Sequence, residues 1–115
     1  MLKLGYGNSI EEGKAMAKKN KIYFTITGLT MRLPDTEFIK PDMMVALKKD
    51  PDNDYDKEAI KVSMPGIGQI GWVANSVHTV IGETYSAGRL YDKIDDEAEG
   101  KVLYNLGRAV VCELV

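Results

Sequence analysis

A chain of 115 residues is long enough for one domain that buries about two thirds of its unfolded surface around a single core. Hydrophobic residues make up 44%, which excludes wholesale disorder, and a net charge of −2 excludes a non-specific nucleic-acid coat, which needs a strong positive excess. With one cysteine (Cys112) and one histidine (His78) there is no internal disulfide and no ligand set for zinc, and no apolar run reaches membrane-spanning length.

The N-terminus lacks the apolar segment of a signal peptide, and Cys112, inside an apolar run, reads as a buried inert thiol, so a reducing cytoplasm is the expected setting. Charge is unevenly spread. Residues 1–21 carry five lysines against two glutamates, a local +3 that leaves −5 for the rest. Nucleic-acid contact must then be local and salt-sensitive. Ser9-x-x-Glu12 is a capping-box pattern, followed by Lys18 and Lys19 where a last turn would fall. Gly13 and a thin apolar stripe (Ile10, Ala17) weaken it. Residues 1–20 are therefore expected as a basic arm or marginal helix, and 21–115 as the domain.

Lys21 to Leu29 is the clearest strand, with Ile22, Phe24 and Ile26 alternating with Tyr23, Thr25 and Thr27. Gly28 ends it or marks a bulge. A long connection with Pro34 and Pro41 follows, pinned to the core by Phe38 and Ile39. Met43 to Lys48 and Ala59 to Ser63 are the next strands. Met64 to Gly68 is a turn, and Gln69 to Val73 a short fourth strand. Asn75 or Ser76 is expected to cap a helix carrying Val77, Val80, Ile81 and Tyr85 on one stripe, with Gly88 at its C′ position and His78 exposed. The acidic run Asp95 to Glu99 is expected as a solvated loop. Lys101 to Asn105 and Arg108 to Val115 complete the strands. The fold class is mainly β: a small OB-like or SH3-like barrel with one packed helix and the marginal N-terminal one.

The densest chemistry lies in Asp50-Pro51-Asp52-Asn53-Asp54-Tyr55-Asp56, which leads into the strand Ala59-Ile60-Lys61-Val62. Pro51 sets the turn, and Asn53 and Asp54 suit Asx-turns. Tyr55 and Asp56 have two readings. In one, Tyr55 covers the end of the core and Asp56 caps the turn; in the other, both are binding residues on a rigid scaffold. A calcium hand starting at Asp50 would put Tyr55 at the required glycine and Lys61 at the bidentate glutamate, so no metal is expected. Gly66-x-Gly68-x-x-Gly71 has dinucleotide spacing, but in a strand–turn–strand context it implies no cofactor. No nucleophile–base pair is visible, and no catalytic residue is proposed.

Taken together, Tyr23-Phe24-Thr25-Ile26-Thr27-Gly28-Leu29, then the pattern L-x-x-x-P-x-N-x-Y-D-x-x-A-I-x-V from Leu47 to Val62, then Ile70-Gly71-Trp72-Val73, closely resemble the HIRAN domain, in its stand-alone bacterial or phage form. The resemblance covers about residues 21–115. It implies an OB-like barrel that binds the 3′ end of single-stranded DNA in repair or replication-fork processing, with a helicase or other repair protein as a further partner. Family members in eukaryotes are fused to helicase-like, fork-remodelling ATPases. The resemblance assigns base stacking to Tyr55 and acceptance of the 3′-hydroxyl to Asp56. The family's arginine–aromatic pair falls on Thr30-Met31, with Arg32 one place late, and a lysine falls on Asn75. Trp72 holds the aromatic position of the glycine–aromatic motif. The candidate nucleic-acid-binding residues are thus Tyr55, Asp56, Arg32, Met31, Trp72 and Asn75. A protein-interaction or scaffold domain of the same fold is the alternative, favoured by the changes at Thr30, Met31 and Asn75. A third reading is a metal-dependent hydrolase using the Asp50–Asp56 acids.

Overall fold

The computed structural model describes residues 21–115; the expected arm over 1–20 lies outside the described residues. Six strands form a closed antiparallel barrel: β1 (Tyr23–Thr27), β2 (Met44–Lys49), β3 (Ile60–Met64), β4 (Gly68–Val73), β5 (Glu97–Asn105) and β6 (Val110–Leu114). Their order around the barrel is β1–β4–β3–β2–β5–β6, with β6 closing back on β1. Alternation builds the inside: Phe24 and Ile26 from β1, Val45 and Leu47 from β2, Ile60 and Val62 from β3, all buried. Ile70, Val102, Val110 and Cys112 belong to the same cluster. Ile39 is buried and Phe38 packs against the cluster, so the proline-bounded connection is pinned as expected.

Two glycines are set by close approach. A Cβ on Gly71 would collide with the Thr27 carbonyl oxygen, and one on Gly100 would lie 2.5 Å from Cζ of Phe24. The first lets β4 lie against β1, where the ladder is short: Ile26 faces Val73 and Thr27 faces Trp72, and the Ala74 N–H donates to the Thr25 carbonyl at 2.8 Å. The second leaves room for the Phe24 ring inside the barrel.

Two expectations are corrected. The helix is not at 75–85 but is the short α1 (Ala87–Tyr91), capped by Ser86, whose hydroxyl accepts the Arg89 N–H at 3.3 Å; Gly88 lies within it and not beyond its end. Residues 76–80 make a single turn, with the Thr79 and Val80 N–H groups both donating to the Ser76 carbonyl. Val77 is 90% exposed while Val80, Ile81 and Tyr85 are half-buried, so the residues that suggested a helix do not share one buried face. Gly82, with φ of +55°, then turns the chain out of helical geometry. Tyr85 instead bridges to Phe24, and the Thr84 and Thr25 hydroxyls meet at 2.9 Å.

The acidic run is the second correction. Glu97 to Glu99 begin β5, with Glu97 opposite Lys48 and Glu99 opposite Ala46 on β2. Its acids point out and alternate with Ala98, Gly100 and Val102. Charge density had masked a period of two.

Candidate nucleic-acid site

The loop between β2 and β3 is closed at its base by the Asp50 N–H donating to the Ala59 carbonyl at 2.8 Å. Asp50-Pro51-Asp52-Asn53 makes the first turn, with the Asn53 N–H on the Asp50 carbonyl at 3.1 Å; proline at the second position supplies the required φ. The Asn53 side chain organises the next three residues. Its Oδ1 accepts the N–H of Tyr55 at 2.9 Å and of Asp56 at 3.0 Å, while its Nδ2 donates to Asp50 Oδ2 at 3.2 Å. A short polar side chain thus replaces backbone partners that the loop cannot offer.

Asp56 is held from two sides. Its Oδ1 accepts the Glu58 N–H at 2.9 Å, and its Oδ2 accepts Asn75 Nδ2 at 2.8 Å. Asn75 Oδ1 in turn accepts the Gly88 N–H of α1 at 2.8 Å. Because an amide N–H only donates, that bond fixes which end of Asn75 faces Asp56. Loop, the end of β4 and α1 are joined through one carboxamide. The turn-capping role of Asp56 is therefore real, but it does not use the whole carboxylate. An ionised carboxylate has about four acceptor positions, and two are taken.

Tyr55 is 97% exposed, so it covers no part of the core. An aromatic ring in water beside a fixed carboxylate has the form of a stacking surface next to a hydrogen-bond acceptor.

The other candidates are Trp72 on β4 and Met31 and Arg32 after β1. Trp72 stands half-buried on the outer face of β4, between Thr27 of β1 and Lys61 of β3. It is absent from the buried cluster inside the barrel. Gly28, left-handed with φ of +77°, opens the turn Leu29–Met31 beside it. Met31 is 87% exposed and Arg32 is exposed; among the described residues neither is bonded to Asp56 or Asn75. Asp56 and Asn75 are therefore brought together by a hydrogen bond, next in the chain to Tyr55, whereas no such bond ties Met31, Arg32 or Trp72 to them among the described residues. The carboxamide bridge from Asp56 through Asn75 to Gly88 had no signal in the sequence, because Asn75 is 19 residues from Asp56 and 13 from Gly88. No cluster of potential metal ligands is present among the described residues.

A closed six-stranded barrel with a carboxylate and an exposed tyrosine on one loop defines a small β-barrel module of the OB-like kind. The HIRAN domain family model matches residues 19–112, and the chain belongs to that family. The solved HIRAN domain of human HLTF is similar, with a TM-score of 0.57 and 25% identity over 82% of this chain and 74% of that one. None of the curated proteins matches the chain. Among the described residues no helix is long and apolar enough to cross a membrane.

Proposed function

We propose that this chain is a non-catalytic module that binds single-stranded DNA at its 3′ end, in repair or replication-fork processing. A cytoplasmic setting, where a free thiol such as Cys112 stays reduced, suits that role. Family membership supports nucleic-acid binding in general. The observation that carries the finer reading is the pairing of a fully exposed Tyr55 with a carboxylate held by Glu58 and Asn75.

A carboxylate repels phosphates, so it weakens general DNA binding. It helps only where the ligand offers a donor, and a terminal 3′-hydroxyl is one. An ionised Asp56 accepts that hydrogen but has nothing to give a 3′-phosphate. A hydrogen bond to a charged group contributes about 1.5–3 kcal/mol, so a free 3′ end is preferred over a blocked one by about tenfold or more.

The test is fluorescence anisotropy with four matched oligonucleotides: free 3′ end, 3′-phosphate, free 5′ end with the 3′ end blocked, and a circle. Asp56→Asn keeps an acceptor and removes the charge, so it is expected to shrink the preference between the first two. Equal affinity for the circle and the free 3′ end would sink end recognition. It would support the scaffold reading, which Thr30, Met31 and Asn75 at the positions of the family's basic and aromatic residues favour.

A further inference from the structure

We propose that Arg89 on α1 is the phosphate-binding residue of this site, an inference that rests on the end-binding reading above. A carboxylate that accepts a terminal hydroxyl sits within one nucleotide of a phosphodiester, so a cation is needed close by to offset the repulsion. Asn75, which holds Asp56, also forms part of the wall of a surface cavity of about 590 Å³. Ser76, Glu83, Thr84, Ser86 and Arg89 line it too. Arg89 follows directly on Gly88, whose N–H holds the other end of the Asn75 carboxamide. One amide side chain therefore connects the acceptor Asp56 to the segment that carries the cation.

The Arg89 guanidinium is prepared for such a ligand. Its central carbon lies 4.1 Å from the centre of the Tyr85 ring. Stacking fixes the plane of the fork while leaving its edge N–H groups free for a phosphate. Among the described residues it has no carboxylate partner within ion-pair distance. The Ser86 hydroxyl accepts the Arg89 backbone N–H and retains its own hydrogen to donate. Glu83 lines the same cavity without pairing to Arg89. Its charge opposes a second phosphate, so the cavity takes one phosphate and not a run of them. Val77 and Val80 give it an apolar wall.

The experiment compares wild type, Arg89→Gln and Arg89→Lys on a 5′-labelled oligothymidylate with a free 3′ end. A second oligonucleotide carries a neutral methylphosphonate at its last linkage. Wild type is expected to bind the first about tenfold or more tightly than Arg89→Gln does. The log–log salt slope of Arg89→Gln is expected to be shallower by about 0.7, one phosphate on a single strand. Arg89→Lys should keep the slope and lose part of the affinity, because a point charge replaces a stacked fork. On the methylphosphonate the difference between wild type and Arg89→Gln should vanish. Arg89 is exposed, so both variants are expected to fold, with at most a small fall in melting temperature from the lost Tyr85 stack. If Arg89→Gln matches wild type in affinity and slope while the free 3′ end is still preferred, the assignment is wrong and end recognition stands. An equal loss on the methylphosphonate also overturns it. Loss of end preference in the wild type removes both.

Discussion

Single side chains divide into those that hold the fold and those free to act. Tyr55 belongs to the second kind. At 97% exposure its removal leaves no cavity. Tyr55→Ala is expected to lower affinity for single-stranded DNA by about 1–3 kcal/mol with little preference among bases, and to leave the melting temperature unchanged. Parallel titration and thermal melts check this. Cys112 belongs to the first kind. It lies opposite Phe24 and Val102 in the barrel, and burial pushes its thiol from 9.0 up to about 12. The unfolded chain releases that proton first as pH rises. The thiol's contribution to stability is therefore complete below about pH 9 and is lost as pH climbs toward 12. Denaturant titrations should show a fall of up to about 1.4 kcal/mol per pH unit in that window. Cys112→Ala should remove this component.

Elements show why some of the fold was legible in the sequence. β1 announced itself through the alternation of Phe24 and Ile26 with threonines, and β3 and β4 through short apolar runs bounded by turns. The 75–85 helix failed because its stripe was local. Periodicity records which residues are apolar, not whether a surface exists to receive them, and Val77 meets none. β5 was half-missed because Glu97 and Glu99 hid the alternation of Ala98 and Gly100 beneath their charge. The loop geometry was legible, since Asn53 and Pro51 act through neighbours in sequence. Its tie to α1 was not, because Asn75 acts across the fold. Pairing in β5 yields its own prediction. A methyl group on Gly100 would strike the buried ring of Phe24, which has no solvent side to retreat to. Gly100→Ala is expected to destabilise by about 1–3 kcal/mol, read from the denaturant midpoint. Gly88→Ala is the control. There the near atom is Oε1 of Glu58, the far end of an exposed flexible side chain, and little loss of stability is expected.

At the scale of the whole molecule, charge and closure govern association. Residues 22–115 carry −5, whereas residues 1–21 carry +3. If lysines of the leading segment neutralise phosphates, deleting residues 1–20 should flatten the salt dependence by about 0.7 per lost contact. Titrations at several salt concentrations decide it, and an unchanged slope and affinity would make that segment a bystander. Closure has a different consequence. With β6 paired back to β1, no strand among the described residues offers an unpaired edge. A partner protein cannot recruit this barrel by adding a strand to it, and two copies cannot zip together edge to edge. Any protein that reads the domain must do so through loops or side-chain faces. The short seam between β1 and β4 is the one place where that protection is thin, with two paired positions and the Ala74 bond to hold it. Its amides should be the first of the barrel to exchange with heavy water. A variant that loosens it, Gly71→Ala above all, would turn a self-contained module into one with two sticky margins.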